Sequence, residues 1–256
     1  MRRSFSRAAP VYDQMARLQR RIGETLLTFL PASVPGGWLL DIGAGTGRCG
    51  QNMQQIYPDH PLLLVDIAEG MMREAQSRVW RKQPSFLVGD AESLPLKKNV
   101  AGIIVSNLAL QWCLQPERAI GEFARVLQPG GALIFSTFGE GTLEELRMAW
   151  SKVDNFTHVN QFVSQEDIAR AMVRSGFEIQ SLDIEVIRMH YPSVLHLLRE
   201  IKGIGARNVT HGRPRHLMGK QRLTQLIAQY DKMAEGGKIP SSYVVIYGYG
   251  RKFAKI

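Results

Sequence analysis

Trp38-Leu39-Leu40-Asp41-Ile42-Gly43-Ala44-Gly45-Thr46-Gly47 is the stretch on which the reading of this chain turns. A short apolar strand ends in an acid and runs into a loop with glycine at every second position. Glycine lets the backbone turn sharply there and leaves no side chain between loop and ligand. The segment after it, Arg48 to Tyr57, reads as a helix whose free N–H groups face the same place.

Such a loop holds either a dinucleotide or S-adenosylmethionine. Gly45-Thr46-Gly47-Arg48-Cys49-Gly50 fits the dinucleotide pattern G-x-G-x-x-G only when counted from the second glycine. The first glycine of that pattern directly follows the strand, which is Gly43, and from there the third falls on Arg48. Asp41 weighs the same way. A carboxylate at the strand end is unfavourable beside a pyrophosphate and natural beside the cationic methionine end of S-adenosylmethionine.

Around this stretch the chain has 256 residues, enough for one large domain or one domain with a small cap. A 45% apolar share suits a globular protein with a real core. No apolar run approaches the ~20 residues of a membrane span, and the N-terminus lacks an apolar signal core, so a cytoplasmic protein is expected. The two cysteines, Cys49 and Cys113, make no metal-ligand spacing, and no metal is expected. The net charge of +9 favours an anionic partner. Arginines crowd residues 2–21, and a second basic cluster runs from Arg199 to Arg222. Neither interleaves with aromatics as a single-strand nucleic-acid surface does.

Periodicity predicts a helix over residues 4–30, ended by Pro31 and Pro35-Gly36-Gly37. Strands and helices then alternate. Strands are expected at 62–66, 85–90, 100–107 and 132–137, with helices at 69–81 and 116–127. This order implies an α/β fold with a parallel sheet covered on both faces, its ligand at the carboxyl ends of the strands. Later, helices are expected at 141–153 and 164–175 and a strand at 177–186. A block over 193–233 then precedes a last strand at 243–249 and reads as an inserted substrate cap.

Three strands end in Asp41, Asp66 and Asp90. Asp66 lies at the interval of a ribose-binding acid, and a carboxylate accepts both protons of a diol. Asp90 can accept from an adenine amine, with the Ala91 N–H on a ring nitrogen; the alternative is a turn cap. Ile67, Met71 and Met72 can pack on adenine or serve simply as core.

As a set, Asp41–Gly47, Asp66, Gly89-Asp90-Ala91 and Leu127-Gln128-Pro129-Gly130-Gly131 resemble the class I S-adenosylmethionine-dependent methyltransferases over about residues 36–140. The resemblance implies a Rossmann-like seven-stranded sheet, mostly parallel, whose last strand is antiparallel. A narrower resemblance spans nearly the whole chain. Ser4-Phe5-Ser6-Arg7-Ala8-Ala9 with Tyr12-Asp13 is similar to the malonyl-[acyl-carrier protein] O-methyltransferases of biotin synthesis. So are Ser106–Cys113, Ser136–Leu146 and Leu198–Ala206.

That resemblance implies methylation of the free carboxylate of a malonyl thioester on acyl-carrier protein, with S-adenosylmethionine as cofactor and a single domain over 1–256. Gly43, Ala44, Gly45 and Gly47 would carry the cofactor loop. Arg199 is the candidate to hold the malonyl carboxylate, since a guanidinium offers two parallel donors. Tyr12 would close over the methionine end, and Asn107 and Trp112 would line the transfer pocket. Lys202, Arg207, Arg213 and Arg215 would face an acidic carrier protein. No nucleic acid or membrane partner and a monomeric state are expected. The competing readings are a methyltransferase of RNA or of a small molecule, a scaffold that kept the fold, and a nicotinamide oxidoreductase.

Overall fold

A computed structural model describes residues 1–206 and 219–254. Two helices, α1 (Arg2–Met15) and α2 (Arg17–Leu27), lead into β1 (Trp38–Ile42), α3 (Arg48–Ile56), β2 (Leu62–Asp66), α4 (Glu69–Gln76) and β3 (Ser85–Val88). Then follow β4 (Ala101–Asn107), a 3-10 turn at Leu110–Trp112, α5 (Pro116–Val126), β5 (Leu127–Phe138), α6 (Glu144–Ser151) and α7 (Gln165–Arg174). The chain closes with β6 (Phe177–Tyr191), α8 (Val194–Gly203), α9 (Lys220–Asp231) and β7 (Ile239–Lys252).

The strands form one seven-stranded sheet in the order β3-β2-β1-β4-β5-β7-β6. From β3 to β5 every pair is parallel, and β7 runs antiparallel to both β5 and β6. The direction of chain progress reverses between β1 and β4, so the crevice lies beyond their carboxyl ends. Alternation along β1 shows how the sheet is covered. Leu39 packs into a core with α2 and α3, whereas Leu40 and Ile42 point to the other face, against α5.

Several expected elements differ in extent. The helix over 4–30 is two, broken at Ala16, whose ψ of 44° leaves the helical region. Ala16 is buried, so packing of two helices that run in different directions sets the break, not local propensity. Helix α4 stops at Gln76 rather than Arg81: the Ser77 hydroxyl bonds the Glu74 carbonyl, and the Trp80 indole N–H takes that of Ala75. The third strand ends at Val88, so Asp90 lies past it in an isolated bridge with Ser93. Helix α6 starts at Glu144 instead of Gly141, after Leu143 at φ 58°.

Between β6 and β7, α8 and α9 pack with α6 around a small core of their own, in which Trp150, Leu197, Leu226 and Tyr230 are buried. This cap leaves and re-enters the sheet at one rung, Tyr191 opposite Ile239. Arg207, Arg213 and Arg215 lie outside the described residues. Among the described residues, no helix is long and apolar enough to cross a membrane, and no cluster of His, Cys, Asp and Glu is placed to hold a metal ion.

Candidate functional site

The glycine loop leaves β1 beneath two backbone bonds, from the Gly43 and Ala44 N–H groups to the Val65 carbonyl. Gly43 sits at φ 72°, and a Cβ there would lie 2.2 Å from the Ala109 Cβ. Only glycine fits, because the chain after β4 crosses the loop directly. Beyond the loop lies a cavity of about 380 Å³. Gly43, Gly45 and Asn107 line its floor, and Ile67, Met71 and Ala91 give it apolar sides. Asp66, Asp90 and Glu92 add three carboxylates, and among the described residues no lysine, arginine or histidine lines it.

Asp66 accepts from the Gly45 N–H at 2.9 Å with one oxygen and from the Ala68 N–H at 2.8 Å with the other. A carboxylate oxygen has two lone pairs, so each retains one for a ligand hydroxyl. Burial pushes the Asp66 carboxyl up, against the pull of the Ala68 and Gly45 amides. Asp90 accepts from the Glu92 N–H at 2.9 Å through Oδ1, so it caps its own turn and lines the cavity at once.

Beside the loop is a smaller recess of about 50 Å³. Ala44 and Asp41 line it, together with Arg20 and Arg48. Asp41 is almost wholly buried and accepts from the Gly50 N–H at 2.8 Å. Burial pushes its carboxyl up to about 7, against the Gly50 bond, and the charge of Asp66 adds to the rise. Asp13 and Glu24 line the recess too; Arg48 pairs with Glu24 and Arg20 donates to the Asp13 carbonyl, so the recess holds charges of both signs.

Helix α1 closes both spaces. Its Ser6 backbone packs on Gly70, where a Cβ would meet the Ser6 carbonyl at 2.5 Å. Its Asp13 takes the Thr46 hydroxyl at 2.7 Å and pairs with Arg78. Arg78 in turn donates to Thr46 at 3.0 Å. Next to these anchors, Phe5 and Tyr12 line the cavity. Burial, with Asp66 and Asp13 nearby, holds the Tyr12 hydroxyl far above its ordinary pKa, so it remains a donor.

A third space of about 210 Å³ adjoins the first, behind Phe5, Tyr12, Leu108 and Trp112, which line both. Phe138, Leu143 and Phe162 give it a largely apolar wall, and Leu198 and Ile201 of α8 close it. Tyr12, alone of the described residues, lines all three spaces. Leu108 reaches the shared wall at φ 52°, a strained angle for leucine, held by bonds from its N–H to the Ser136 carbonyl and hydroxyl.

The geometry therefore offers an acidic cavity with a recess of mixed charge beside it and an apolar chamber next to it. A methyltransferase-domain family matches residues 40–135, the stretch that supplies the glycine loop, Asp66 and Asp90. The malonyl-[acyl-carrier protein] O-methyltransferase of Methylococcus capsulatus is 45% identical over 90% of this chain and 84% of its own length. This chain belongs to the malonyl-[acyl-carrier protein] O-methyltransferase family. The biotin biosynthesis bifunctional protein BioHC of Cellvibrio japonicus is 37% identical over 95% of this chain and 48% of that longer protein. Among solved structures, a Bacillus halodurans C-125 protein provisionally assigned as a methyltransferase shares the fold. Its TM-score is 0.64 at 18% identity, over 90% of this chain and 98% of that one.

Of the residues singled out from the sequence, Asp41, Gly43, Ala44, Gly45, Asp66, Ile67, Met71, Asp90, Ala91, Asn107, Tyr12 and Trp112 come together here. Gly47 does not. It caps α3 away from the cavities, against Leu64 and the Trp80 ring, which a Cβ would meet at 2.8 and 3.0 Å. Met72 is plain core. Arg199 and Lys202 are exposed on the outer side of α8, because Val194 and Leu197 lock the helix onto the cap core and turn Leu198 and Ile201 toward the chamber. Arg199, expected from the sequence to hold the substrate carboxylate, is therefore not among the described residues that line the chamber. Arg207 lies outside the described residues. The sequence reading gave no role to Phe5, Leu108, Asp13, Thr46, Arg78 or His158. Phe5, Asp13 and Leu108 all fall inside stretches that resemble the malonyl-[acyl-carrier protein] O-methyltransferase family, and that was the available signal.

Proposed function

We propose that the protein transfers the methyl group of S-adenosylmethionine to the free carboxylate of malonyl-acyl-carrier protein. The product is the methyl ester that starts a pimeloyl chain for biotin. The observation that carries this reading is the shared wall: an acidic cavity that suits a cationic nucleoside abuts an apolar chamber that suits a short acyl group.

The donor set fits S-adenosylmethionine. Asp66 keeps lone pairs for a ribose diol, Asp90 and Ala91 stand by for the adenine edge, and Ile67 and Met71 offer apolar faces. Asp41 with Arg20 and Arg48 would take the ammonium and carboxylate of the methionine end. A dinucleotide pyrophosphate would meet three carboxylates and no side-chain cation in the larger cavity. When bound, S-adenosylmethionine supplies an electrophilic methyl group on a sulfonium centre.

The protein needs no general base, because a malonyl carboxylate is ionised at neutral pH. Its residues have three tasks. The shared wall of Tyr12, Leu108 and Trp112 fixes how closely acceptor and donor approach, and alignment of that kind can supply up to about 7–11 kcal/mol. Phe5 sets its ring edge on Trp112, centroids 5.2 Å apart, and keeps water from the seam. The apolar wall of Phe138, Leu143 and Phe162 favours a reaction in which a cation and an anion both disappear. Basic side chains at the rim, Arg199 and Lys202 among them, face outward toward an acidic carrier protein.

The test is transfer of label from methyl-labelled S-adenosylmethionine to malonyl-acyl-carrier protein, with malonyl-coenzyme A and RNA as parallel acceptors. Label on the malonyl group that is released by mild base is the expected ester. Label on RNA alone would overturn the reading.

A further inference from the structure

Methyl transfer to a carboxylate calls for no acid or base, yet a histidine–aspartate pair stands at the chamber. His158, in the turn after α6, lines the 210 Å³ space. Its Nε2 lies 2.8 Å from Asp154 Oδ1, and its ring stacks on Trp150 with centroids 3.6 Å apart and planes 6° from parallel. Both partners are nearly buried, with side chains 11% exposed. A ring fixed by a carboxylate at one nitrogen and an indole on one face cannot swing away. Its Nδ1 has no hydrogen-bond partner among the described residues. Of the described side chains that line the chamber, His158 is the one able to carry positive charge.

The geometry points to His158 as the residue that receives the free carboxylate of the acceptor, with Asp154 and Trp150 as the residues that position it. This deepens the reading above and rests on it. A nitrogen bonded to a carboxylate holds its proton, so Nε2–H is fixed by Asp154. Nδ1 then donates to the substrate when the ring is an imidazolium and presents a lone pair to it when the ring is neutral. One donor on one carboxylate oxygen leaves the second oxygen free to attack. A guanidinium on both oxygens would tie up the nucleophile, so placing Arg199 outside the chamber suits the chemistry.

Burial raises the Asp154 carboxyl, but His158, the Phe156 amide and Arg222 outweigh it and hold it below its ordinary value, so it stays an anion. Among the described residues, the charged and titratable groups around His158 are Asp154 itself, Arg222 of α9 at 3.8 Å from Asp154, and Glu200, Tyr12 and Tyr243, which share the chamber. Glu200 is engaged by the Tyr191 hydroxyl at 2.8 Å.

The test uses the full chain with S-adenosylmethionine and malonyl-acyl-carrier protein, after wild type has been shown to methylate that acceptor. Failure at that first step sinks the functional reading, not this one. His158→Phe keeps the stack on Trp150 and removes the donor. The expected result is a KM for the carrier substrate raised about tenfold or more, the loss typical of a hydrogen bond to a charged group, with cofactor affinity unchanged. The loss falls on KM and not on kcat at saturating carrier substrate, the split expected when a binding donor is removed. Asp154→Asn removes the anion that fixes Nε2–H and raises the same KM by a smaller factor. An unchanged KM in His158→Phe would overturn the proposal. Should that variant not fold, a wild-type KM in Asp154→Asn would do so.

Discussion

Asp13 of α1 accepts a hydrogen bond from the Thr46 hydroxyl at 2.7 Å and pairs with Arg78, so the first helix is fastened to the glycine loop it covers. Replacing Asp13 by alanine releases that fastening. Because the carboxylate is half exposed, about 1 kcal/mol is at stake. The expected result is a cofactor dissociation rate up about fivefold, read by stopped-flow, with little change in melting temperature. An unaltered rate would mean the helix is held by its apolar contacts alone.

Asp41 gives a pH signature. Its folded-state pKa of about 7 lies above the ordinary 3.8. For an acid raised on folding, the folded protein binds the extra proton, so the group favours folding fully below the unfolded value. That contribution disappears as pH rises through 7. The free protein should therefore lose stability between about pH 4 and 7, by about 4 kcal/mol from this group if nothing compensates. Asp41→Asn keeps an acceptor for Gly50 and flattens this part of the profile. The same change should cost at least about tenfold in S-adenosylmethionine affinity above pH 7. Melting curves with and without cofactor across pH 4–8 check both halves.

Two loop glycines separate fold from function. Gly43→Ala drives a methyl group to 2.2 Å from the Ala109 Cβ. It should cost about 3 kcal/mol or more in urea-induced unfolding. At Gly45 a Cβ meets only Tyr12 Cε1, at 3.9 Å, although φ is 55°. Gly45→Ala should cost about 1 kcal/mol, the strain of a left-handed alanine, while its methyl group occupies ligand space and cofactor binding falls. Equal stability losses in the two variants would refute the packing argument.

The rim carries the carrier-protein prediction. Arg199→Glu with Lys202→Glu reverses two exposed charges on the outer side of α8. Apparent KM for malonyl-acyl-carrier protein should rise and its salt dependence weaken. Titration calorimetry should give the same S-adenosylmethionine affinity as wild type. If KM stays put, the carrier docks elsewhere.

What could be read from the sequence was local. Gly43, Gly45, Asp41 and Asp66 announce themselves because a loop, a strand end and their spacing are all short-range. The break at Ala16 was invisible, since alanine favours helix and only its burial between α1 and α2 forces the turn. The outward placement of Arg199 was not legible for a related reason: the rotation of α8 is set by Val194 and Leu197, which share a buried cluster with Trp150 and Tyr230, both distant in sequence. His158 carries no motif at all. It acquires meaning only once the segment after α6 sets it beside Asp154, Trp150 and the chamber.

The cap springs from a single rung of the sheet, Tyr191 opposite Ile239, and has its own buried cluster. Its two ends are thus clamped at neighbouring points, as a tool bit is held in a chuck. Whatever lies between them can be lengthened, shortened or exchanged without displacing a strand or the glycine loop. On the function proposed above, this part of the acceptor chamber can drift while the sheet and the glycine loop stay still.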